Sequence, residues 1–220
     1  TSRIIARVSR WVGRHADAAI VKSEELKRAL GRPDAHVIPN GVDFELFRPL
    51  DRDDARRMLG LDPARRYVLF TGIPEVPVKD FPLAQEAVRR LHERLPAAEL
   101  LVASRVPHEE LPGYYAAADA FLLTSRHEGS PNSLKEAMAC NLPVVSVDVG
   151  DVRRWTVGVE GCRIVATRDP EDLARALEEM VREPRRSRGR EAIAELSLER
   201  VARRVLEVYD SVLRARRGPP

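Results

Sequence analysis

Two glutamates, Glu128 and Glu136, stand eight residues apart in the middle of the sequence. They belong to the string TSRHEGSPNSLKEAMACNLPVVSVDVGD, residues 124–151. Serine is a preferred residue just before a helix, and a proline at the first helical position gives up an N–H that has no partner there. The Ser130-Pro step therefore predicts that a helix begins here, after a short loop, and runs to about Cys140.

Short apolar runs flank this helix and predict buried strands: AFLL at 120–123 and VVSV at 144–147. A loop that leaves a strand and enters a helix gathers backbone N–H groups and the positive end of the helix dipole, so it is a natural anion site. Two carboxylates beside a phosphate should face the neutral hydroxyl groups of the ligand. The combination fits a nucleotide sugar, which has hydroxyls at both ends and a diphosphate between them.

The spacing of the two glutamates is weak evidence alone, because such pairs are usually solvated. Taken with EGSPN, the preceding strand and PVVSVDVGD, the string resembles the donor-binding segment of GT-B glycosyltransferases of family 4. Within that family it looks most like enzymes that build cell-envelope polysaccharides and secreted exopolysaccharides. A second string, VIPNGVDFELFRP at 37–49, looks like the interdomain hinge of the same family. The resemblance covers about residues 17–213 and is most specific at 36–49 and 114–153.

The resemblance implies the transfer of a hexosyl-type sugar from a UDP- or GDP-sugar to a glycan or lipid-linked acceptor, with retained anomeric configuration and no metal or other cofactor. It implies that Glu128 contacts the donor sugar, that Glu136 takes the ribose hydroxyls and that Lys79 takes the diphosphate. Glu128 and Lys79 are the implied catalytic residues. The nucleobase would lie along the loop 103–108. The implied donor-binding set is Gly72, Lys79, Val106, Glu128, Gly129, Ser130, Pro131, Asn132, Ser133, Leu134 and Glu136.

Lys79 is one of only four lysines, beside 33 arginines, and stands just before a predicted helix. A point charge there could neutralise a leaving diphosphate; the plain alternative is an ordinary exposed lysine. Members of the family usually carry an arginine a few residues earlier, and positions 73–78 contain none. We therefore expect either weaker diphosphate binding or help from Arg105 or Arg126. Arg153 is a further candidate partner for phosphate.

Strands and helices alternate regularly from residue 51 onwards, with strands predicted at 67–70 and 99–103 before the central segment. The alternation predicts an α/β fold, a Rossmann-like parallel sheet with helices on both faces, which is the donor domain of a GT-B fold in the resembled family. Ligands of such sheets bind beyond the carboxyl ends of the strands. Three loops are expected to meet there: 71–80, 103–108 and 125–132.

The hinge divides the chain into three expected parts. Residues 1–43 are a remnant of an acceptor domain with the hinge, 44–197 are the nucleotide-sugar donor domain, and 198–220 are a C-terminal crossover helix with a disordered tail from Arg214. About 150 residues of a first domain would then be missing, which puts catalysis by this chain alone in doubt. The alternatives are a non-catalytic module that binds nucleotide sugar, one half of a two-chain enzyme, or a sugar-nucleotide epimerase of similar architecture.

Composition favours a protein of the cytoplasm, positioned at the inner face of the membrane if it contacts lipid. The net charge is only +3, no apolar run approaches the ~20 residues that span a bilayer, and the two cysteines lack metal-ligand spacing. Residues 2–14 predict a basic amphipathic helix, suited to a neighbouring domain or to peripheral contact with a membrane. A second basic cluster at 182–190 could also touch anionic lipid. We expect no nucleic-acid partner.

Overall fold

The computed structural model describes the backbone of residues 2–217, together with their side chains except those of residues 2–6, 10 and 14. Contacts between Cα atoms divide the chain into two compact units. One unit contains the described residues up to Gly41 and those from Glu195 onwards. The other unit is Val42–Ala194, and it contains all of the candidate donor-binding residues.

Helices and strands alternate along both units. In chain order they are α1 (Ser2–His15), β1 (Ile20–Val21), α2 (Glu24–Leu30), β2 (His36–Val37), α3 (Arg52–Met58), β3 (Arg66–Thr71), α4 (Phe81–Arg94), β4 (Ala98–Ala103), α5 (Leu111–Ala117), β5 (Ala120–Leu123), α6 (Asn132–Ala139), β6 (Val144–Val147), α7 (Val152–Thr156), β7 (Cys162–Val165), α8 (Pro170–Val181), α9 (Gly189–Ala192) and α10 (Leu198–Arg217). Short 3-10 turns lie at Pro77–Lys79, His108–Glu110 and Ala194–Leu196.

The unit 42–194 is built on one parallel sheet of five strands in the order β4-β3-β5-β6-β7. Helices α4 and α8 pack on one face, while α5 and α6 cover the other. The strands β5 and β6 are buried along their whole length, as expected of strands with helices on both faces. The predicted fold class, a Rossmann-like parallel sheet covered on both faces, is therefore confirmed. The strand order reverses between β3 and β5, so this is the place where such sheets bind ligands.

The helices bury the stripes that their sequences predict. In α4 the buried residues recur at helical spacing, and they are Ala84, Ala87, Val88 and Leu91. In α8 they are Leu173, Ala174, Ala176, Leu177 and Val181. A stripe of this width, facing a sheet, accounts for most of the stability of such a helix, because propensity alone leaves a helix of this length marginal in water.

The beginning of α6 differs from the sequence prediction. The helix starts at Asn132, the residue before it is Pro131, and no side chain caps its first turn. Ser130, which we expected to cap the helix, instead donates a hydrogen bond from Oγ to Asp151 Oδ2 over 2.7 Å. The prediction is wrong because the helix begins one residue later than expected, so the residue at the cap position is Pro131, whose side chain has no oxygen to accept a backbone N–H.

The C-terminal end also differs from the expectation of a tail that is disordered from Arg214. Helix α10 continues to Arg217, and its last turn carries Arg214, Arg216 and Arg217. Positive charges at this end of a helix interact favourably with its dipole. Residues 218–220 lie outside the described part of the chain.

The unit with α1 leaves an apolar stripe in contact with solvent. Val8, Trp11 and Val12 are 55%, 63% and 52% exposed, so the predicted amphipathic helix is present but its apolar face is open in this chain. The side chains of Ile4 and Ile5, which we assigned to the same stripe, lie outside the described residues. Between residues 2 and 217, no helix combines the length and the apolar composition needed to cross a membrane.

Two arginines of the basic cluster at 182–190 serve the fold. Arg186 donates to backbone oxygens at the end of α5, among them Ala118 O over 3.3 Å. Arg190 donates to Phe44 O over 2.9 Å, Phe47 O over 2.7 Å and Ala139 O over 3.0 Å. Arg190 therefore fastens the segment after residue 42 to the end of α6.

A buried ion pair closes the amino-terminal edge of the sheet. Arg56 is 1% exposed and Asp119 is 3% exposed, and the two join through a bond of 2.7 Å between Nη2 and Oδ2. Arg56 also donates to Ala117 O over 2.9 Å, while Asp119 accepts from the backbone N–H of Tyr67 over 2.7 Å. Because both charges are hydrogen-bonded, the pair is stable as a unit, and removal of either partner disturbs a buried charge. Asp119 also accepts from Arg52 Nη1 over 3.3 Å, so loss of Arg56 would leave it only this partly exposed cation.

We expect Arg56→Ala to lower the free energy of unfolding by about 3–5 kcal/mol, the usual effect of breaking a buried ion pair. The matched control is Arg57→Ala, which removes a neighbouring arginine whose side chain is 72% exposed and pairs only with Asp54 on the surface. Urea unfolding of the three proteins measures both effects. Equal losses in the two variants would contradict the role given to Arg56.

Candidate functional site

Lys79 and Glu128 meet at the carboxyl ends of β3 and β5. The Nζ of Lys79 lies 2.8 Å from Oε1 of Glu128, and the side chains are 29% and 18% exposed. Gly72 lies beside the lysine at a φ of +130°, a backbone conformation that favours glycine, whereas a Cβ there would make only ordinary contact with the lysine stem at 3.5 Å. The structure thus brings three predicted site residues together. It places a cation and a carboxylate side by side where they are partly shielded from solvent, so their attraction is stronger than it would be in bulk water.

The Asp80 carboxylate ties together the loops that follow β3, β5 and β7. It is 7% exposed and accepts hydrogen bonds from Arg126 over 3.2 Å and from Arg168 over 2.5 Å. Arg168 also donates to Thr124 O and Ser125 O, over 2.6 and 3.1 Å. Burial by itself would raise the pKa of Asp80, but the hydrogen bonds from Arg168 and Arg126 outweigh burial and lower this pKa below its ordinary value. The carboxylate therefore stays charged at neutral pH.

Glu136, on the side of α6 towards the β4 loop, is held by two side chains. The Tyr115 hydroxyl donates to Oε2 over 2.8 Å, and His108 Nε2 lies 3.3 Å from Oε1. The Glu136 side chain is 12% exposed. Burial, followed by the nearby charge of Glu136, raises the pKa of Tyr115 well above its ordinary value, so the phenol remains a hydrogen-bond donor. The carboxylate is consequently fixed as an acceptor.

The first turn of α6 directs backbone N–H groups towards the same edge of the sheet. Because no side chain caps this turn, its N–H groups carry the partial positive charge of the helix terminus without competition from a cap. Gly129, Ser133 and Leu134 flank or belong to this turn, whereas Pro131 has no N–H to offer. The loop and helix start therefore present backbone N–H groups beside Glu128, and Pro131 contributes none of them.

Other predicted residues lie further from this centre. Arg105, which might have replaced the missing arginine, is 69% exposed and lies 3.7 Å from Glu75 across the neighbouring loop. The Nε of Arg153 bonds to Asp148 Oδ2 over 2.7 Å. Val106 is half-buried in the loop after β4. Within residues 2–217 no group of three histidine, cysteine or acidic side chains has the arrangement to hold a metal ion.

The loop after β6 packs against the backbone of Glu128 and Gly129. Gly150 has a φ of +57°, and a Cβ at this position would lie 2.8 Å from Glu128 O and 3.0 Å from Gly129 O. Next to it, Asp151 Oδ2 accepts from Ser130 Oγ and, over 2.9 Å, from Trp155 Nε1. The position of Glu128 thus depends on a glycine that allows two backbones to approach closely.

Three residues of the site have no clear mark in the sequence. Tyr115 stands in a run of alanines that predicts only packing, and Asp80 resembles an ordinary residue at a helix start. Arg168 lies after β7, 17 residues beyond the end of the central string. The position of Arg168 after a predicted strand would have placed it at the carboxyl edge of the sheet. Its partners, however, depend on side-chain directions that sequence periodicity does not give.

The sequence is similar to those of one family of known proteins. The family model described as glycosyl transferases group 1 matches residues 80–183. The lipopolysaccharide core biosynthesis mannosyltransferase LpsB of Rhizobium meliloti is 30% identical, over 94% of this chain and 69% of its own length. D-inositol 3-phosphate glycosyltransferase 1 of Catenulispora acidiphila is also 30% identical, over 84% of this chain and 53% of its own length. The chain spans about half the length of the first curated relatives it matches.

A solved structure agrees with the fold. The Anabaena protein HepE, crystallised in complex with UDP and glucose, superposes with a TM-score of 0.77 over 96% of this chain and 68% of its own. The two sequences are 19% identical, so this likeness concerns the fold alone. It supports the GT-B architecture that the central string predicts.

We expect Gly150→Ala to lower the free energy of unfolding at least twice as much as Gly158→Ala. Both glycines have a positive φ, at +57° and +79°, and the left-handed backbone costs an alanine about 1 kcal/mol. Only at Gly150 would the new Cβ also meet two backbone carbonyls, whereas nothing lies within 4 Å at Gly158. Urea unfolding compares the two variants, and equal losses would show that Gly150 does not support the Glu128 loop.

Proposed function

The chain belongs to the group 1 glycosyltransferases, a family of the GT-B fold, and on this premise we propose that residues 42–194 bind a nucleotide diphosphate sugar. The sugar is transferred to a glycan or lipid-linked acceptor with retention of anomeric configuration, as in glycosyltransferase family 4. The chain takes part in this transfer as its donor-binding part.

The pairing of Lys79 with Glu128 is the observation that carries the proposal. A diphosphate needs a cation and a sugar needs hydrogen-bond acceptors, and here the two groups lie 2.8 Å apart on the loops that follow β3 and β5. When a donor binds, its phosphates replace Glu128 as partners of Lys79, and its sugar hydroxyls replace Lys79 as partners of Glu128. The exchange leaves both partly buried charges compensated.

The rest of the donor follows from this starting point. We assign the phosphate oxygens to Lys79 and the N–H groups at the start of α6, the donor sugar to Glu128 and Gly129, and the ribose hydroxyls to Glu136. The nucleobase lies along the loop that contains Val106. The UDP and glucose named in the HepE structure support a UDP-sugar as the donor.

During transfer, the bond between the anomeric carbon and the diphosphate oxygen breaks, a bond from that carbon to the acceptor oxygen forms, and the proton of the acceptor hydroxyl passes to the leaving diphosphate. Negative charge develops on the leaving diphosphate, and positive groups already aimed at it stabilise the transition state more than the ground state. Lys79 and the α6 N-terminus supply this charge in the proposal, which includes no metal ion. Glu128 holds the sugar so that its reacting face stays towards the acceptor.

We place the acceptor among envelope glycans or lipid-linked intermediates, because one relative, LpsB, is a mannosyltransferase of lipopolysaccharide core biosynthesis. We place the reaction in the cytoplasm at the inner membrane face. The contacts within residues 42–194 concern donor binding, and the acceptor is proposed from the relatives.

We expect the chain to bind UDP or GDP saturably and Lys79→Ala to weaken that binding by about 10- to 100-fold, the effect of losing one charge-assisted hydrogen bond. Binding of the uncharged nucleoside should change little, because it has no phosphate. Glu128→Gln should leave UDP affinity intact but remove any gain in affinity from the attached sugar. Isothermal titration calorimetry with uridine, UDP and UDP-glucose, and with the guanosine series, measures each effect.

The control is Lys22→Ala, which removes an exposed lysine outside the unit 42–194. It should bind every ligand as the unmodified chain does. Absence of saturable binding for all nucleotides would contradict the proposed function. Binding without transfer to any acceptor would favour the non-catalytic module or half-enzyme over a complete enzyme.

A further inference from the structure

Tyr115 is a buried donor aimed at the carboxylate that the proposed function assigns to ribose. It is fully buried, and its hydroxyl donates to Glu136 Oε2 over 2.8 Å. The same hydroxyl also lies 3.4 Å from Ser133 O, but the carboxylate is the nearer and charged acceptor and therefore the stronger partner. A buried hydroxyl must keep a partner, because an unpaired one would cost free energy. The bond therefore fixes the plane of the Glu136 carboxyl group as well as its charge.

Aromatic packing holds Tyr115 itself in place. Its ring lies edge-on to Phe121, with centroids 6.0 Å apart, and edge-on to Phe47, with centroids 5.9 Å apart. Phe47 also contacts the ring of His108 at 5.0 Å, and it is 1% exposed. The four rings form a continuous wall behind Glu136. Movement of the tyrosine hydroxyl away from the carboxylate would disturb this wall.

The two protein contacts leave Glu136 with acceptor capacity on both oxygens. An ionised carboxylate has about four acceptor positions, two on each oxygen. Tyr115 occupies one on Oε2, and His108 Nε2 lies 3.3 Å from Oε1. One position on each oxygen then remains, and two neighbouring hydroxyls of a ribose present two donors at a matching separation.

We infer that Tyr115 positions Glu136 to accept from both ribose hydroxyls at once, so that the site selects ribonucleotide donors over 2′-deoxyribonucleotide donors. The inference rests on the proposed function, because it assumes that Glu136 faces the ribose. A deoxyribose leaves one aligned carboxylate oxygen without its partner, which is the most effective way for a site to reject an analogue. A carboxylate free to rotate would instead turn to the single remaining hydroxyl and lose discrimination.

The test compares the affinities of UDP and 2′-deoxy-UDP by calorimetry for the unmodified chain and for Tyr115→Phe. We expect the unmodified chain to bind UDP about 10-fold or more tightly than its deoxy analogue, the effect of one hydrogen bond to a charged group. The Tyr115→Phe substitution should weaken the binding of UDP more than that of 2′-deoxy-UDP, so the ratio of the two affinities should drop towards one. A merely structural role would weaken both ligands equally and leave the ratio unchanged.

Tyr114→Phe is the matched control, since it makes the same substitution one residue earlier on α5 at a half-buried tyrosine. Its ratio should equal that of the unmodified chain. A second variant, Glu136→Gln, keeps the shape of the side chain but removes the charge, and should also reduce the ratio. Because Tyr115 acts through Glu136, the double variant with both Tyr115→Phe and Glu136→Gln should reduce the preference for UDP over 2′-deoxy-UDP no further than Glu136→Gln alone.

Two results would overturn the inference, and they are distinguishable. If the unmodified chain binds UDP but Tyr115→Phe keeps the same preference for UDP, Tyr115 does not position Glu136, and the proposed function stands. If the unmodified chain binds neither nucleotide, the proposed function fails and the inference fails with it. Unchanged secondary structure of Tyr115→Phe by circular dichroism makes either result interpretable.

Discussion

The Asp80 carboxylate is the constraint on which the site depends. A parallel sheet brings strand ends to one edge, but it does not fix the loops that leave them. Asp80 does so by accepting from Arg126 after β5 and from Arg168 after β7, while its own neighbour Lys79 reaches Glu128. Three loops separated along the chain are thereby held through one buried negative charge. Because the arginines keep this charge ionised, the arrangement persists across the neutral pH range.

Two carboxylates of the site are held in different ways, and each way suits a different task. Glu128 is paired with a cation that a diphosphate can take over, so its partner is exchangeable. Glu136 accepts from Tyr115, whose raised pKa keeps the hydroxyl a donor, and in the proposed complex this partner is retained. An exchangeable pair suits the end of the donor where bonds break, and a fixed carboxylate suits the end that only needs to be recognised.

The sequence predicted the strands and helices around the central string because periodicity and strand-forming residues are local signals. Lys79, Glu128 and Glu136 could be named from their place at strand ends and their resemblance to a family. The wrong cap at Ser130 is a matter of one residue, since the helix begins at Asn132 and Pro131 occupies the cap position, while Ser130 bonds to Asp151 of the next loop. Tyr115 could not be identified as a site residue, because its role depends on which side chain faces it across two helices, and no spacing along the chain encodes that.

The central claim is that donors bind where the loops after β3, β4 and β5 meet. The most direct measurement is the change in backbone amide chemical shifts of ¹⁵N-labelled protein on addition of UDP-glucose. The account predicts the largest changes in residues 72–80, 104–108 and 128–136, and small changes around Asp119 at the opposite edge of the sheet. Changes that are absent from those three loops, or concentrated at the opposite edge, would contradict it.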